Sequence, residues 1–160
     1  NCAARARMPF TFQVAIFIGL AQAKGSARGL GGAAMNFGCA IVPGDSVHLQ
    51  QIASQLQQYF EGNLRRFTVP LAMQGTPFQM KVWQRLMAIP YGETLSYAEM
   101  ARDIGERNAQ RAVGRANGDN RLAIIIPCHR VIRSDGTLCG YGGGLWRKQW
   151  LLEHERTHAH

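Results

Sequence analysis

The sequence predicts an α+β fold, with a small N-terminal β-containing lobe over residues 1–70 and a mostly helical C-terminal lobe over residues 75–157. The 160 residues, of which 46% are hydrophobic, are enough for the core of one globular domain with two lobes. Residues 1–45 are apolar and rich in glycine, with short runs typical of strands. Beyond them, apolar residues recur at helical spacing behind residues that cap helices.

A first helix is predicted after a cap at Asp45 or Ser46, and Gly62 ends it. Its recurring apolar positions are Val47, Leu49, Ile52, Leu56 and Phe60. Residues 64–75 are expected to form an extended linker between the lobes.

A second helix is predicted from Pro77, which suits the first helical position, with Thr76 as its N-cap. Its apolar stripe consists of Phe78, Val82 and Leu86. Pro90 cannot continue a helix and is expected to end it.

Two short helices follow and suggest a helix-turn-helix. Ser96 and Glu99 have the spacing of a capping box, and Gly105 lies just beyond the end of that helix. The next helix is expected to begin at an Asn108 cap and to end at Gly118.

This fourth helix combines small residues with arginines placed one turn apart. The small residues are Ala109, Ala112, Val113, Gly114 and Ala116, and the arginines are Arg111 and Arg115. A face of small side chains permits close approach to another body, and the arginines favour DNA as that body. Tight packing on a neighbouring helix, with both arginines in solvent, explains the pattern equally well.

The last third of the chain contains the run "RLAIIIPCHRVI". Its three isoleucines predict a buried strand that Pro127 ends. A turn in "RSDGT", a glycine-rich stretch "CGYGGG" and a closing helix from Trp146 to Glu155 follow, with Trp150 and Leu151 facing inward.

The chain is strongly basic, with a formal net charge of +8. Residues 101–150 contain nine basic and four acidic residues, so this part has a net charge of +5. Such an excess of arginine favours an anionic partner, nucleic acid before a small acidic substrate.

The four cysteines, Cys2, Cys39, Cys128 and Cys139, lie far apart, which indicates reduced thiols in a cytosolic compartment and no disulfide framework. The segment from Arg5 to Ala23 imitates a secretory signal peptide. A buried strand accounts for the same segment, and its apolar run is too short to span a bilayer. We therefore expect a cytoplasmic protein, or a nuclear one if the source is eukaryotic.

Cys128 permits two interpretations, an inert core cysteine and a nucleophile. Isolated cysteines are usually buried and inert, which favours the first. Pro127 displaces Cys128 from a regular strand, and His129 and Arg130 are poor core residues whose positive charge would favour a reactive thiolate, which supports the second.

A histidine base would need two further features. Neighbouring residues of an extended segment point to opposite faces, so His129 is expected to reach Cys128 through a water molecule. An imidazole base also needs a group that orients it, for which the closing helix offers Glu153 and Glu155.

Taken together, four stretches closely resemble the O6-alkylguanine-DNA alkyltransferases, also called methylated-DNA protein-cysteine methyltransferases, and most closely the bacterial ones. They are "IPCHRVI", "TPFQMKVWQRLMAIPYGETLSYAEMARDIG", "QRAVGRANGDN" and "DGTLCGYGGGLWRKQWLLEHE". The resemblance runs from about residue 47 to residue 156, and its cysteine motif is highly specific.

The resemblance implies a repair protein that moves a methyl or other alkyl group from O6 of guanine in duplex DNA to its own cysteine, once and without a cofactor. O4 of thymine is a second target to be considered. Cys128 would be the acceptor, His129 the base acting through water, and Glu155 the group that orients the histidine. Tyr97 would assist the departure of guanine, and Asn120 would tie the helix-turn-helix to the active-site loop.

The resemblance also implies how DNA is held. The damaged base would be flipped out of the duplex, and Arg111 would occupy the space that it leaves. The recognition helix would enter the minor groove, with Ala112, Gly114, Arg115 and Tyr97 at the DNA surface. The carbonyl of Val131 and the loop around Tyr141 and Gly142 would line the pocket.

The implied partner is double-stranded DNA containing O6-alkylguanine, bound by a monomer that does not associate with membranes. The implied fold has an RNase H-like N-terminal lobe and a winged-helix-like C-terminal lobe. Residues 1–45 depart from the usual opening of the family. Cys2 and Cys39 do not reproduce the zinc site of some members, so no metal is expected.

Two other functions compete with alkyl transfer. Alkyltransferase-like proteins bind DNA without transfer, but the known ones replace the cysteine, whereas Cys128 is present here with His129 and Arg130. A cysteine hydrolase would leave the basic helix unexplained, and the local motifs of those enzymes are missing from the sequence.

Overall fold

The computed structural model describes residues 47–159, apart from the side chains of His48 and Leu49. The predicted strands of the N-terminal lobe, the signal-like segment, the cap at Asp45 or Ser46, and the cysteines at positions 2 and 39 lie outside the described residues.

Five α-helices and a two-stranded sheet form the described part of the chain. The helices are α1 (Val47–Phe60), α2 (Pro77–Met87), α3 (Tyr97–Asp103), α4 (Gln110–Gly118) and α5 (Leu145–Thr157). The strands are β1 (Leu95–Ser96) and β2 (Val131–Ile132), and a turn of 3₁₀-helix, Cys128–Arg130, directly precedes β2. All five predicted helices are therefore confirmed, with small changes at their ends.

Local capping determines where α2 and α3 begin. The Thr76 hydroxyl accepts from the backbone N–H of Gln79, whose side chain accepts in return from the N–H of Thr76. Ser96 and Glu99 form the same reciprocal pair at the start of α3, as predicted.

Two hydrophobic clusters hold these elements together. The first joins α2, α3 and α4 to the segment around Cys128, and contains Val82, Leu86, Met100, Val113 and Ile126 among others. The second joins α1 to α5 through Leu56, Tyr59, Ile124 and Leu151. Residues 64–75 contain no helix or strand, as expected; Leu64 and Phe67 pack on the second cluster, and Leu71 and Met73 on the first.

The short sheet brings two distant parts of the sequence together. β1 and β2 run parallel, with Leu95 opposite Val131 and Ser96 opposite Ile132. Tyr97 directly follows β1, and the turn that begins with Cys128 directly precedes β2. The pairing therefore places the first residue of α3 beside the cysteine motif.

The predicted isoleucine strand is wrong. Ile124 has a φ of 76°, and the backbone N–H of Ile126 bonds to the carbonyl of Leu122, 2.8 Å away, so the segment is a turn. A strand would direct Ile124 and Ile126 to the same face. The turn instead buries Ile124 in the second cluster and Ile126 in the first.

The predicted start and face of α4 also need correction. Asn108 is not the cap: α4 begins at Gln110, and no side chain caps it. Residues 106–109 form a turn in which the Ala109 N–H bonds to the carbonyl of Glu106, and this turn moves the start of the helix along the chain. Val113 and Ala116 belong to the core, so the predicted face of small residues does not include them.

Candidate active site

The cysteine motif forms one tight turn. The N–H of Cys128 bonds to the carbonyl of Ile126, 2.8 Å away, and the N–H of Arg130 bonds to the carbonyl of Pro127, 3.1 Å away. In a 3₁₀ turn successive side chains point about 120° apart, so Cys128, His129 and Arg130 point in three directions. All three are buried, and the imidazole is fully so.

Glu155 of α5 is the common partner of this turn. Its Oε1 lies 2.7 Å from His129 Nε2 and 3.0 Å from Arg130 Nη2, and its Oε2 lies 2.8 Å from Arg130 Nε. The Tyr59 hydroxyl donates to Oε1 at 2.7 Å, and the Gly92 N–H donates to Oε2 at 3.1 Å. The carboxylate thus joins α1, the turn at Gly92 that follows α2, the turn of the cysteine motif and α5, without any exposure of its own.

These contacts keep Glu155 ionised and His129 neutral. Burial disfavours the charged carboxylate, yet the hydrogen bonds from His129 and Arg130, together with the Arg130 charge, hold the pKa of Glu155 well below its usual value. Burial lowers the pKa of His129, against the opposite effect of Glu155. Burial, followed by the Glu155 charge, raises the pKa of Tyr59, which therefore remains a donor.

The Glu155 contact also assigns the imidazole tautomer. A carboxylate can only accept, so His129 Nε2 has the hydrogen, and Nδ1 retains a lone pair. No protein group among the described residues bonds to Nδ1. The geometry therefore provides a buried, neutral base beside the cysteine.

Arg130 has the structural role expected of it. Besides Glu155, it donates from Nη1 to the carbonyl of Ile89, 2.6 Å away. Its guanidinium also lies 5.7 Å from the centre of the Tyr91 ring.

Two tyrosines lie close enough to Cys128 to respond to its charge. Burial is the main cause that raises the pKa of both Tyr97 and Tyr141, and the charge of Cys128 raises both further. A Cβ on Gly114 of α4 would lie 3.7 Å from Cε1 of the Tyr97 ring, so α4 packs directly on this residue.

Two asparagines connect α4 and the segment after it to the cysteine loop. Asn120 Nδ2 donates to the carbonyl of Ile126 at 2.8 Å, and its Oδ1 accepts from the Leu122 N–H at 2.9 Å. Asn117 Nδ2 donates to the carbonyl of Cys128 itself, 3.2 Å away. Asn120 was anticipated from the sequence, whereas Asn117 was not.

Lys148 is a second buried residue that the sequence interpretation missed. It has no exposed surface, and its Nζ donates to the carbonyls of Val131 and Cys139 at 2.6 and 3.1 Å. Burial lowers its pKa. The spacing of Lys148, Leu151 and Glu155, three and seven residues along one helix face, is the signal that could have revealed it.

The remaining predicted pocket residues differ in exposure. Val131 is buried, and its carbonyl accepts a hydrogen bond from Lys148 Nζ. Tyr141 is half-buried and packs on both hydrophobic clusters, whereas Gly142 is exposed. Glu153, the alternative to Glu155, is not part of the site: it pairs with Arg156 on the surface.

The outer face of α4 contains the predicted DNA-contacting residues. Arg111, Ala112 and Arg115 are exposed, and Gly114 lies against Tyr97. The two arginines line a groove of about 550 Å³ that also includes Thr76, Phe78, Gln79, Ala112, Ala116 and Asp119. This groove lies between the start of α2 and α4.

Within residues 47–159, no group of three or more histidine, cysteine, aspartate or glutamate side chains could hold a metal ion. The helices of this part of the chain are also too short or too polar to cross a membrane.

Comparison with known proteins identifies the family. Residues 77–157, just over half of the chain, match the family model described as "6-O-methylguanine DNA methyltransferase, DNA binding domain". The chain belongs to this methyltransferase family. The family resemblance expected from the cysteine motif and its flanking stretches is thus confirmed.

Relatives from mycobacteria are especially similar to this methyltransferase-family chain. The methylated-DNA--protein-cysteine methyltransferase of Mycobacterium tuberculosis (strain H37Rv) is 57% identical over 105 residues, which cover 66% of this chain and 64% of that protein. The crystal structure of M. tuberculosis O6-methylguanine methyltransferase matches with a TM-score of 0.69 and 49% identity, over 79% of this chain and 74% of that one.

A structure of M. tuberculosis OGT in complex with DNA matches with a TM-score of 0.67 and 54% identity, over 68% of each chain. The chain thus spans less than two thirds of the length of the first of these relatives.

Proposed function

We propose that this protein repairs DNA by stoichiometric transfer of a methyl or other alkyl group from O6 of guanine to its own Cys128. The observation on which the proposal depends is the buried pair of His129 and Glu155, 2.7 Å apart, in the turn that begins with Cys128. Membership of the methyltransferase family supports the same reaction.

The first step activates the thiol. Neutral His129 accepts the proton of Cys128 at Nδ1, through a bridging water, while Nε2 remains bonded to Glu155. The thiolate attacks the alkyl carbon, a sulfur–carbon bond forms, and the bond between that carbon and O6 breaks. Its electron pair stays with the guanine.

The second requirement is a neutral leaving group. Tyr97 donates its hydroxyl proton to the departing guanine, which would otherwise leave as an anion. The raised pKa of this phenol keeps the proton on it until negative charge develops on the base. The reaction uses no cofactor and ends with alkylated Cys128, so each molecule acts once.

The proposed partner is duplex DNA from which the alkylated base is flipped. Arg111, exposed on α4, enters the duplex, while Ala112, Gly114, Arg115 and Tyr97 line the approach. Small side chains at this face suit the minor groove, where a search for damage needs little sequence readout. Val131, Tyr141 and Gly142 border the pocket for the flipped base, and Asn120 holds its loop.

The proposal extends to the whole protein. We propose that the protein has an RNase H-like lobe over residues 1–70 and a winged-helix-like domain over residues 75–157. We also propose that it acts as a cytoplasmic monomer without a bound metal. O4-alkylthymine is a second substrate to test.

Intact mass spectrometry after incubation with a duplex containing O6-methylguanine tests the transfer. We expect a gain of one methyl group, which peptide mapping assigns to Cys128 and to no other cysteine. Cys128→Ser should bind the same duplex without the gain of mass.

Two outcomes contradict the proposal. Wild-type protein that binds the duplex but gains no methyl group would act as a DNA-binding module without transfer. Loss of both binding and transfer in a folded Cys128→Ser protein would make the cysteine a structural residue of the DNA-binding surface.

A further inference from the structure

A groove of about 280 Å³ lies beside the short sheet, and none of the residues assigned above to transfer or to DNA contact lines it. Ser96 of β1 and Ile132 of β2, which lie opposite each other in the parallel pair, both line it. α3 and the turn after β2 provide most of the other lining residues. The polar lining residues are Thr94, Ser96, Glu99, Arg102, Arg133 and Ser134.

The groove shares its backbone with the candidate active site. Ser96 and Ala98 line it, and Tyr97, the proposed proton donor, lies between them in the chain. Ile132 lines it as well and directly follows Val131, which is proposed to border the base pocket. A ligand in the groove would therefore lie beside the two strands that lead to the proton donor and to the pocket wall.

Two exposed arginines make this groove a candidate site for an anion. Arg102 lies in α3, and Arg133 directly follows β2. Within residues 47–159, salt bridges to acidic side chains engage Arg85, Arg130 and Arg156 but neither of these two. A guanidinium donates to phosphate oxygens in a planar fork, and the hydroxyl groups of the lining are further donors of the kind that contact DNA phosphates. The lining therefore fits a phosphate group.

The acidic residue of the groove lining, Glu99, belongs to the cap of α3. Its Oε2 accepts from the Ser96 N–H at 2.8 Å, while the Ser96 hydroxyl accepts from the Glu99 N–H at 3.1 Å. Asp135 lies in the turn after β2 but does not line the groove, and its Oδ1 accepts from both the N–H and the hydroxyl of Thr137. Two guanidinium groups and one carboxylate thus line the groove, so its net charge is positive.

We propose that this groove binds a backbone phosphate of the DNA strand that contains the flipped nucleotide, with Arg102 and Arg133 as the groups that neutralise it. This inference rests on the proposed function. The outer face of α4 provides one contact with the duplex, whereas β1, β2 and α3 form the groove, so the phosphate is a second point of attachment. Phosphate contacts fix the register of a strand without reading its sequence. The strand is thereby held beside Tyr97 while the base leaves the stack.

Charge variants test the groove in the Cys128→Ser background, where no transfer interferes with binding. Arg102→Gln and Arg133→Gln should each weaken binding of an O6-methylguanine duplex by about two- to fivefold, the effect of one exposed ion pair. The slope of log K for DNA binding against log salt concentration should become shallower by about 1 in each variant. Arg66→Gln removes the same charge at an exposed position outside the groove; it is the matched control and should change binding less.

Glu99→Gln provides a variant with the opposite expected effect. A glutamine can complete a capping box, as Gln79 does with Thr76 at the start of α2, so α3 keeps its cap. Without the carboxylate the groove is more positive, and DNA binding should tighten by about two- to fivefold. Glu61→Gln, at an exposed position after α1, is the matched control. This variant tests the groove independently of whether the arginine variants fold.

Neutral methylphosphonates, placed one at a time in the strand that contains O6-methylguanine, locate the phosphate. At one position near the damaged base, the replacement should weaken binding of the Cys128→Ser protein by the same factor as Arg133→Gln does. The replacement at that position should have no further effect in the protein that also contains Arg133→Gln, because the contact is already lost.

Two results would overturn the assignment. One is a phosphate scan in which every position weakens binding as much in the arginine variants as in the parent protein. The other is a loss of binding for Arg66→Gln as large as for Arg102→Gln and Arg133→Gln, together with a Glu99→Gln protein that binds no more tightly than Glu61→Gln. A wild-type protein that transfers no methyl group overturns the proposed function, whereas normal transfer with no effect of the groove variants on binding overturns only the phosphate site.

Discussion

Replacing Glu155 with glutamine perturbs the structure more than the small change in shape suggests. The amide keeps one acceptor oxygen and places an NH₂ group where the other oxygen was. At the Oε2 position that NH₂ group would face the N–H groups of Arg130 and Gly92. At the Oε1 position it would face the O–H group of Tyr59 and the N–H groups of His129 and Arg130. In either orientation donors meet a donor, and the Arg130 charge loses its buried counterion.

The expected magnitude follows from burial. Removing one partner of a buried ion pair lowers the free energy of unfolding by about 3–5 kcal/mol, because an uncompensated charge remains inside. For a chain of 160 residues, that loss lowers the melting temperature by roughly 6–20 °C. The donors of Tyr59 and Gly92 share the same carboxylate, so their losses are included in this range and not added to it.

Urea denaturation of Glu155→Gln and Glu153→Gln provides a matched comparison. The two glutamates lie two residues apart in α5, but Glu153 pairs with Arg156 at the surface, where an ion pair contributes little. A loss of unfolding free energy for Glu155→Gln no larger than that for Glu153→Gln would refute the reasoning.

The pH dependence of stability adds a check. Because folding lowers the pKa of Glu155, the contribution of this carboxylate to the free energy of unfolding is complete above the unfolded value of 4.5 and is lost as pH falls through the folded pKa. The gap between wild type and Glu155→Gln should therefore narrow below pH 4.5.

Three further outcomes are expected. The rate of transfer should decrease with falling pH only below pH 6.5, because burial lowers the pKa of His129 and the protonated imidazole cannot accept the thiol proton. A decrease in rate centred above pH 6.5 would contradict this. Arg111→Ala and Arg115→Ala should leave the urea midpoint of unfolding unchanged but weaken DNA binding. In anisotropy titrations at several salt concentrations, the slope of log K for DNA binding against log salt concentration should become shallower by about 1 for each phosphate that the missing arginine no longer neutralises. Gly105→Ala should lower stability by about 1–2 kcal/mol in urea denaturation through its left-handed backbone alone, since φ is +82° and a Cβ there meets nothing within 4 Å.

Local signals determined most of the helices, and tertiary packing determined what the sequence could not predict. Thr76 and Ser96 cap their helices through residues three positions away, so both starts can be read from the sequence. The run of three isoleucines has no such signal. Whether it forms a strand or a turn depends on two separate clusters, one receiving Ile124 and the other Ile126, and no local pattern reports that division.

The residues of the candidate site also differ in whether the sequence could predict them. Cys128 and His129 are adjacent in the sequence, so their combination is visible at once, and family resemblance was needed to choose Glu155 over Glu153. Asn117 gave no signal, because an asparagine near a helix end is ordinary and its acceptor is the backbone of a residue 11 positions away.

Arg130 explains how a buried histidine can remain neutral beside a buried carboxylate. An isolated carboxylate at 2.7 Å would draw a proton onto His129 and remove the base that the proposed reaction needs. The guanidinium of Arg130 bonds to both oxygens of Glu155, which satisfies the negative charge with a cation that does not titrate, and its own charge lowers the pKa of His129. The orienting group and the base can therefore coexist without exchanging the proton. The arginine that follows the histidine in the motif is thus coupled to the chemistry through Glu155, although it contacts neither the thiol nor the imidazole in the hydrogen bonds described above.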